Sequence, residues 1–188
     1  GVPVRATTRI GSRARRIEGV DWIRCNLANE DELRQAMTGI ETVFHCAAMA
    51  GPPGSLEDYE EANVHGTLRV AKIAEEQGVR DLVYASSLSV YARPARGVKY
   101  VDEAAPYDER AGERGVYTQS KLRAERALLD YARAHPRLRV VVVRPGILYG
   151  PGAPVPIGCL ELPSPFRRRP LVAGSPRTPI PLSFIDNV

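Results

Sequence analysis

Between residues 2 and 143 the chain alternates short strand-like runs with amphipathic helical stretches, and that order leaves few architectures open. Residues 2–8 and 20–25 read as strands. Asn29 followed by Glu30-Asp31-Glu32 reads as an N-cap with acids in the first helical turn, and Gly39 stops that helix. Residues 41–47 form a third strand candidate. Ser55 opens a long helix through Gln77, with Val64, Leu68, Ala71 and Ala74 recurring every three to four residues and Gly78 as its stop. Residues 82–85 read as a strand, 92–114 as a charged loop, and 116–135 as a helix ended near Pro136. The run Val140-Val141-Val142-Val143 is continuously β-branched, which suits a strand buried on both faces of a parallel sheet. The alternation predicts right-handed βαβ units and an α/β, doubly wound parallel sheet.

Beyond that run the composition changes. Ten of the sixteen prolines fall between Pro145 and Pro181, and helical periodicity stops. We therefore divide the chain into residues 1–145 and a second, looser region, 146–188. No apolar stretch approaches the ~18–20 residues that cross a bilayer. The opening Gly1-Val2-Pro3-Val4-Arg5-Ala6 lacks a signal-peptide core, so the expectation is a cytoplasmic protein with no membrane partner. Cys25, Cys46 and Cys159 are odd in number and far apart. Their spacing matches neither a disulfide framework nor a metal site, and Cys25 and Cys46 read as small core residues. His45 and His65 lack partners at metal-ligand spacing, so no metal is expected and packed or hydrogen-bonded histidines are. The basic residues are 23 Arg and 3 Lys, giving a net charge of +4. They are spread along the chain, and the one dense run, Arg167-Arg168-Arg169, has no interleaved aromatics. This excludes a nucleic-acid arm and leaves solvated charge plus a few phosphate-binding arginines.

Two constellations carry chemistry. Tyr117-Thr118-Gln119-Ser120-Lys121 puts a phenol and an ammonium on one helix face. A nearby ammonium favours the phenolate, which lets the phenol exchange a proton with a substrate alcohol near neutral pH. Ser86-Ser87-Leu88-Ser89-Val90-Tyr91 follows a strand directly, where open α/β sheets bind ligands. Taken singly, each has an ordinary reading, as a helix-surface pair and as turn serines.

Beside them stand His45-Cys46-Ala47-Ala48, Asn63-Val64-His65-Gly66-Thr67 and Arg144-Pro145-Gly146-Ile147-Leu148-Tyr149-Gly150-Pro151-Gly152. In this order and spacing the five segments resemble the extended short-chain dehydrogenase/reductase family. That family includes nucleotide-sugar epimerases and dehydratases and 3β-hydroxysteroid dehydrogenase-like enzymes. The resemblance implies a Rossmann-like fold, with residues 1–145 as a partial dinucleotide-binding domain and 146–188 as the start of a small substrate-binding region. It implies that Tyr117 is the general acid/base, that Lys121 binds the nicotinamide ribose and tunes the tyrosine, and that Ser87 hydrogen-bonds the reacting oxygen, with Ser86 and Ser89 as near misses. Ala47 and Ala48 match small residues lying against the cofactor, Asn63 a helix amide that organises the cofactor-side network, and Pro145 and Gly146 the turn beside the nicotinamide. Arg9, Asn26, Leu27, Ala85 and Ser86 complete the implied cofactor contacts.

The sequence departs from the family in several places. The glycine-rich turn that holds the pyrophosphate is absent, and residues 1–8 match the family's second strand. The expectation is a fragment lacking the first βα unit and the C-terminal end, with a gap in the sheet and little activity of its own. Where NAD-preferring relatives carry an acid after the second strand, this chain has Thr7-Thr8-Arg9, with Arg13, Arg15 and Arg16 close behind. The cofactor is therefore expected to be NAD(P), leaning to NADP. Leu88 and Ser89 occupy the places of a dehydratase's acidic pair, which favours epimerisation or simple oxidation and reduction. The expected function is nicotinamide-dependent chemistry on a hydroxyl or carbonyl substrate, a nucleotide sugar or sterol-like alcohol, in a possible homodimer built on residues 55–77 and 116–135. The alternative is a non-catalytic dinucleotide-sensing or scaffold protein on the same fold.

Overall fold

The structure, a computed structural model, describes residues 1–9, 17–51, 53–94, 98, 100–151 and 182–185. The chain forms two compact units, Gly1–Val143 and Arg144–Val188. In the first, strand β1 (Arg5–Thr8) pairs in parallel with β2 (Asp21–Arg24), Arg5 opposite Asp21. Helix α1 (Glu30–Met37) follows, then β3 (Thr42–His45). Helix α2 (Leu56–Glu60), a π-helical turn (Glu61–His65) and helix α3 (Gly66–Glu76) run on without a break. Strand β4 (Asp81–Ala85), helix α4 (Val116–Ala134) and strand β5 (Arg139–Val143) complete the unit. The strands β3-β4-β5 form a parallel sheet with Val43 opposite Leu82 and Leu82 opposite Val140.

Local chemistry explains the helix ends. The Asn29 side chain accepts from the N–H groups of Asp31 (3.0 Å) and Glu32 (3.2 Å), satisfying donors that the first turn leaves open. Glu32 reaches back to accept from the Asn26 N–H at 2.7 Å. Ser55 and Asp58 form a reciprocal capping box at the start of α2. Gly78, at φ 73°, turns the chain out of α3 in a conformation that side chains resist.

The core lies on one side of the β3-β4-β5 sheet. Leu33, Ala36 and Met37 of α1, Val70, Ile73 and Ala74 of α3, and Ala124 and Leu128 of α4 close over Leu82, Tyr84 and Leu138. A smaller cluster of Val90, Tyr91, Ala111 and Leu122 anchors the loop between β4 and α4. In the second unit, β6 (Ile147–Tyr149) pairs in parallel with β7 (Leu182–Phe184).

The alternation of strands and helices and the parallel pairing are as the sequence predicts. Four details differ. The long helix expected from Ser55 to Gln77 contains the π-helical turn, because one extra residue is accommodated around Asn63. The strand expected to be buried on both faces is buried on one. Val140 and Val142 pack into the core, while Val141 is 44% and Val143 39% exposed, and Phe44 of β3 is 71% exposed. Among the described residues no helix covers that second face. Cys25 is buried as expected, but Cys46 is exposed, because the chain leaves the sheet at His45. Cys159 and Arg167-Arg168-Arg169 lie outside the described residues. The sheet is also in two pieces, since β1-β2 and β3-β4-β5 share no hydrogen-bonded strand among the described residues. No described helix is long and apolar enough to cross a membrane.

The one-sided core makes two substitutions diverge. Leu82→Ala, at a fully buried position, should lower stability by about 2–5 kcal/mol. Phe44→Ser should change it by less than about 0.5 kcal/mol, as for an exposed site. Urea unfolding of both variants tests this, and a comparable loss for Phe44→Ser would mean that the outer face is covered in solution.

Candidate active site

The carboxyl ends of β3 and β4 and the first turns of α4 meet in the first unit. Gly115, at φ 107°, turns the chain into α4 two residues before Tyr117. The helix then presents Tyr117, Ser120, Lys121 and Glu125 along neighbouring rows.

Lys121 is 2% exposed and its ammonium has two fixed acceptors in β4, the Tyr84 hydroxyl at 2.8 Å and the Ala85 carbonyl at 2.7 Å. The ammonium also lies 4.2 Å from the centre of the Tyr84 ring. Burial pushes the Lys121 amine down to about 8, opposed chiefly by the Glu125 carboxylate and then by Cys46. Burial likewise raises the Tyr84 phenol, with the neighbouring Thr67 side chain opposing.

Tyr117 is half-buried and lies beside Ser87. Its phenol is raised, burial first and the neighbouring Ser87 side chain opposing. The sequence predicts instead that Lys121 lowers it. Helical spacing does place both residues on one face, but the ammonium is committed to Tyr84 and Ala85. The Ser87 hydroxyl also accepts from the Ser89 N–H at 3.2 Å. Ser86 turns the other way. Its N–H donates to the Val143 carbonyl at 2.8 Å and its hydroxyl donates to Glu125. The Ser89 hydroxyl oxygen is buried and has no hydrogen-bond partner among the described residues.

Asn63 sits in the π-helical turn and ties three segments together. Its amide donates to the Ser120 hydroxyl (2.9 Å) and the Met49 carbonyl (3.1 Å), and its oxygen accepts from the Met49 N–H at 2.7 Å. The Ser120 hydroxyl donates to the Tyr117 carbonyl at 2.9 Å. The Thr67 hydroxyl donates to the Asn63 carbonyl at 2.6 Å, so His45 Nε2, 3.0 Å from that hydroxyl, is a donor. His45 is thus a buried, hydrogen-bonded histidine, as expected, and burial lowers its pKa to about 4, with Lys121 adding to the effect.

Ser87, Tyr117, Lys121, Ala85, Ser86, Asn63, Ala47 and Ala48 therefore gather around the ends of β3, β4 and α4. Ala47 and Ala48 are exposed. Arg9, exposed, follows β1. Asn26 follows β2, its side chain accepting from the Ala28 N–H at 3.1 Å, and the Leu27 carbonyl accepts from Arg69 at 3.0 Å. Pro145 and Gly146 belong to the second unit, where the Gly146 N–H donates to Ser183 at 3.3 Å. Arg13, Arg15 and Arg16 lie outside the described residues. Sequence reasoning missed Tyr84, Thr67, Ser120 and Glu125. Of these only Ser120 and Glu125 had a signal, the three- and four-residue spacing from Tyr117 and Lys121.

A parallel α/β sheet with a phenol and a serine side by side at the carboxyl ends of its strands, and a buried ammonium nearby, defines a Rossmann-like ligand-binding protein. The chain belongs to the NAD dependent epimerase/dehydratase family, whose sequence model matches residues 1–159. This agrees with the resemblance read from the sequence.

Among the relatives, 2-alkyl-3-oxoalkanoate reductase of Stenotrophomonas maltophilia (strain K279a) is 35% identical over 137 residues, which cover 72% of this chain and 40% of that protein. The 3beta-hydroxysteroid-dehydrogenase/decarboxylase isoform 1 of Arabidopsis thaliana is 28% identical over 184 residues, 96% of this chain and 40% of that protein. Among solved structures, the UDP-glucose 4-epimerase of Thermus thermophilus in complex with NAD aligns with a TM-score of 0.68 and 26% identity, covering 80% of this chain and 49% of that one. The chain thus spans 40% of the length of these two curated relatives.

The buried His45 makes a pH signature. Its folded pKa of about 4 lies below the ordinary value of 6.5, so between those values the unfolded chain takes up a proton that the folded one refuses. Stability that is present above pH 6.5 is lost as pH falls toward 4, by on the order of 3 kcal/mol. Urea midpoints across that window should fall more steeply in the native chain than in His45→Gln. Equal slopes would mean that His45 protonates freely in the fold.

Proposed function

We propose that this chain carries the catalytic residues of a nicotinamide-dependent oxidoreductase or epimerase acting on a hydroxyl or carbonyl carbon. The observation that supports it most is the placement of the Tyr117 phenol beside the Ser87 side chain at the ligand-binding end of the sheet. A substrate oxygen seated between them would exchange its proton with Tyr117 Oη and accept a hydrogen bond from Ser87 Oγ as charge develops on it. Lys121, held by Tyr84 and Ala85, keeps a positive charge behind that oxygen. The Ser89 oxygen, unpartnered among the described residues, offers a further substrate contact. Ala47 and Ala48 are exposed and carry nothing beyond Cβ, so a flat ring can approach the backbone after β3, which fits a nicotinamide dinucleotide. That cofactor, when bound, supplies the hydride acceptor or donor. Exposed Arg9 after β1 favours a 2′-phosphate, so we lean to NADP, although the neighbouring solved epimerase is a complex with NAD.

The relatives' names include a sterol-type dehydrogenase and a UDP-glucose epimerase, and we assign the substrate to one of those two classes, a sterol-like alcohol or a nucleotide sugar. With Leu88 and Ser89 in place of acids, dehydration is the least supported outcome. We place the protein in the cytoplasm, as a homodimer through residues 55–77 and 116–135.

Tyr117→Phe should lower turnover at least ~100-fold while leaving cofactor affinity within about twofold. Nicotinamide absorbance with UDP-glucose and with a 3-hydroxysteroid, in the protein carrying this chain, measures both. A fully active variant would end the proposal. Cofactor binding without turnover of any alcohol or ketone would favour the sensing or scaffold alternative.

A further inference from the structure

Glu125 is fully buried, four residues after Lys121 on the same face of α4. A carboxylate in such a place costs stability unless donors and a counter-charge meet it. Two donors do. The Ser86 hydroxyl reaches it from the end of β4, and the Tyr107 hydroxyl reaches it at 2.7 Å from the loop before α4. The Arg126 guanidinium stacks 5.2 Å from the Tyr107 ring on the outer side.

We propose that Glu125 is a positioning residue, which clamps Ser86 and Tyr107 onto α4 and supplies the buried counter-charge that keeps Lys121 an ammonium. Holding Ser86 fixes its neighbour Ser87, which lies beside Tyr117. This rests on the reading of Lys121 and Ser87 as functional groups, but its test needs neither cofactor nor substrate. Other groups that act on the ammonium are the Tyr84 hydroxyl and Ala85 carbonyl from β4, His45 at the end of β3 and Cys46 just after it. Of the groups that act on Lys121, Glu125 opposes the effect of burial most strongly, ahead of Cys46.

The chain has three lysines, Lys72, Lys99 and Lys121. Labelling lysine with 13C at Cε in the protein carrying this chain gives resonances whose shifts follow each amine's titration, and single Lys→Met variants assign those of Lys72 and Lys121. In the native chain the Lys121 midpoint should lie near 8. In Glu125→Gln, which keeps the shape and removes the charge, the ratio of neutral to charged Lys121 at pH 7 should rise about tenfold, with Lys72 unmoved. Glu125→Asp should restore most of the native midpoint. An unchanged midpoint in a folded Glu125→Gln chain would overturn the proposal. Should Glu125→Gln fail to fold, Lys121→Met/Glu125→Gln decides. Recovery of a cooperative unfolding transition is expected once no charge needs balancing, and a double variant no better folded than the single would overturn the proposal. If the titration behaves as expected while Tyr117→Phe stays active, the electrostatic role stands and the catalytic reading falls.

Discussion

The two hydrogen bonds from the buried Lys121 ammonium to the Tyr84 hydroxyl and the Ala85 carbonyl hold the site together. An ammonium withdrawn from water needs acceptors at fixed positions, and here both come from one strand. The bonds fix the rotation of α4 about its own axis and its height along β4. Once that helix is set, Tyr117 stands beside Ser87, Ser120 reaches Asn63, and Glu125 meets Ser86 and Tyr107. The apolar contacts of Ala124 and Leu128 supply adhesion without choosing a direction, and the polar row beside them chooses it.

Much of this was legible in the sequence. Alternating patterns gave the order of elements, and Asn29 and Ser55 marked helix starts because short polar side chains satisfy the first N–H groups. The site residues on α4 and after β4 were legible through spacing and through where strands end. The direction of the Lys121 side chain was not, because i, i+4 spacing fixes a face and leaves the choice of acceptor to the neighbouring strand. Tyr84 and Thr67 stayed hidden for a related reason: a buried tyrosine or threonine in an apolar run looks like packing until its hydroxyl has a partner.

Burial on the sheet was the weakest inference. A β-branched run reads the same whether one face or two are covered, so Val141 and Val143 gave no warning of their exposure. The exposed Cys46 had the same origin, since an apolar strand pattern does not say at which residue the chain leaves the sheet. Nor could periodicity register the extra residue at Asn63, as helical faces drift by small angles while the apolar positions on either side stay in step.

The π-helical turn at Glu61–His65 has a consequence for how this segment tolerates changes in length. Deleting one residue there would let α2 and α3 fuse into a regular helix, which is locally the more comfortable backbone. Each residue of an α-helix carries about 100° of rotation. The wide turn already takes up that rotation, so the deletion would leave α2 and α3 facing as they do, but the turn that presents the Asn63 amide to both Met49 and Ser120 would be lost. The segment is locked in length by the bonds across it, and a smoother helix there would be a worse one.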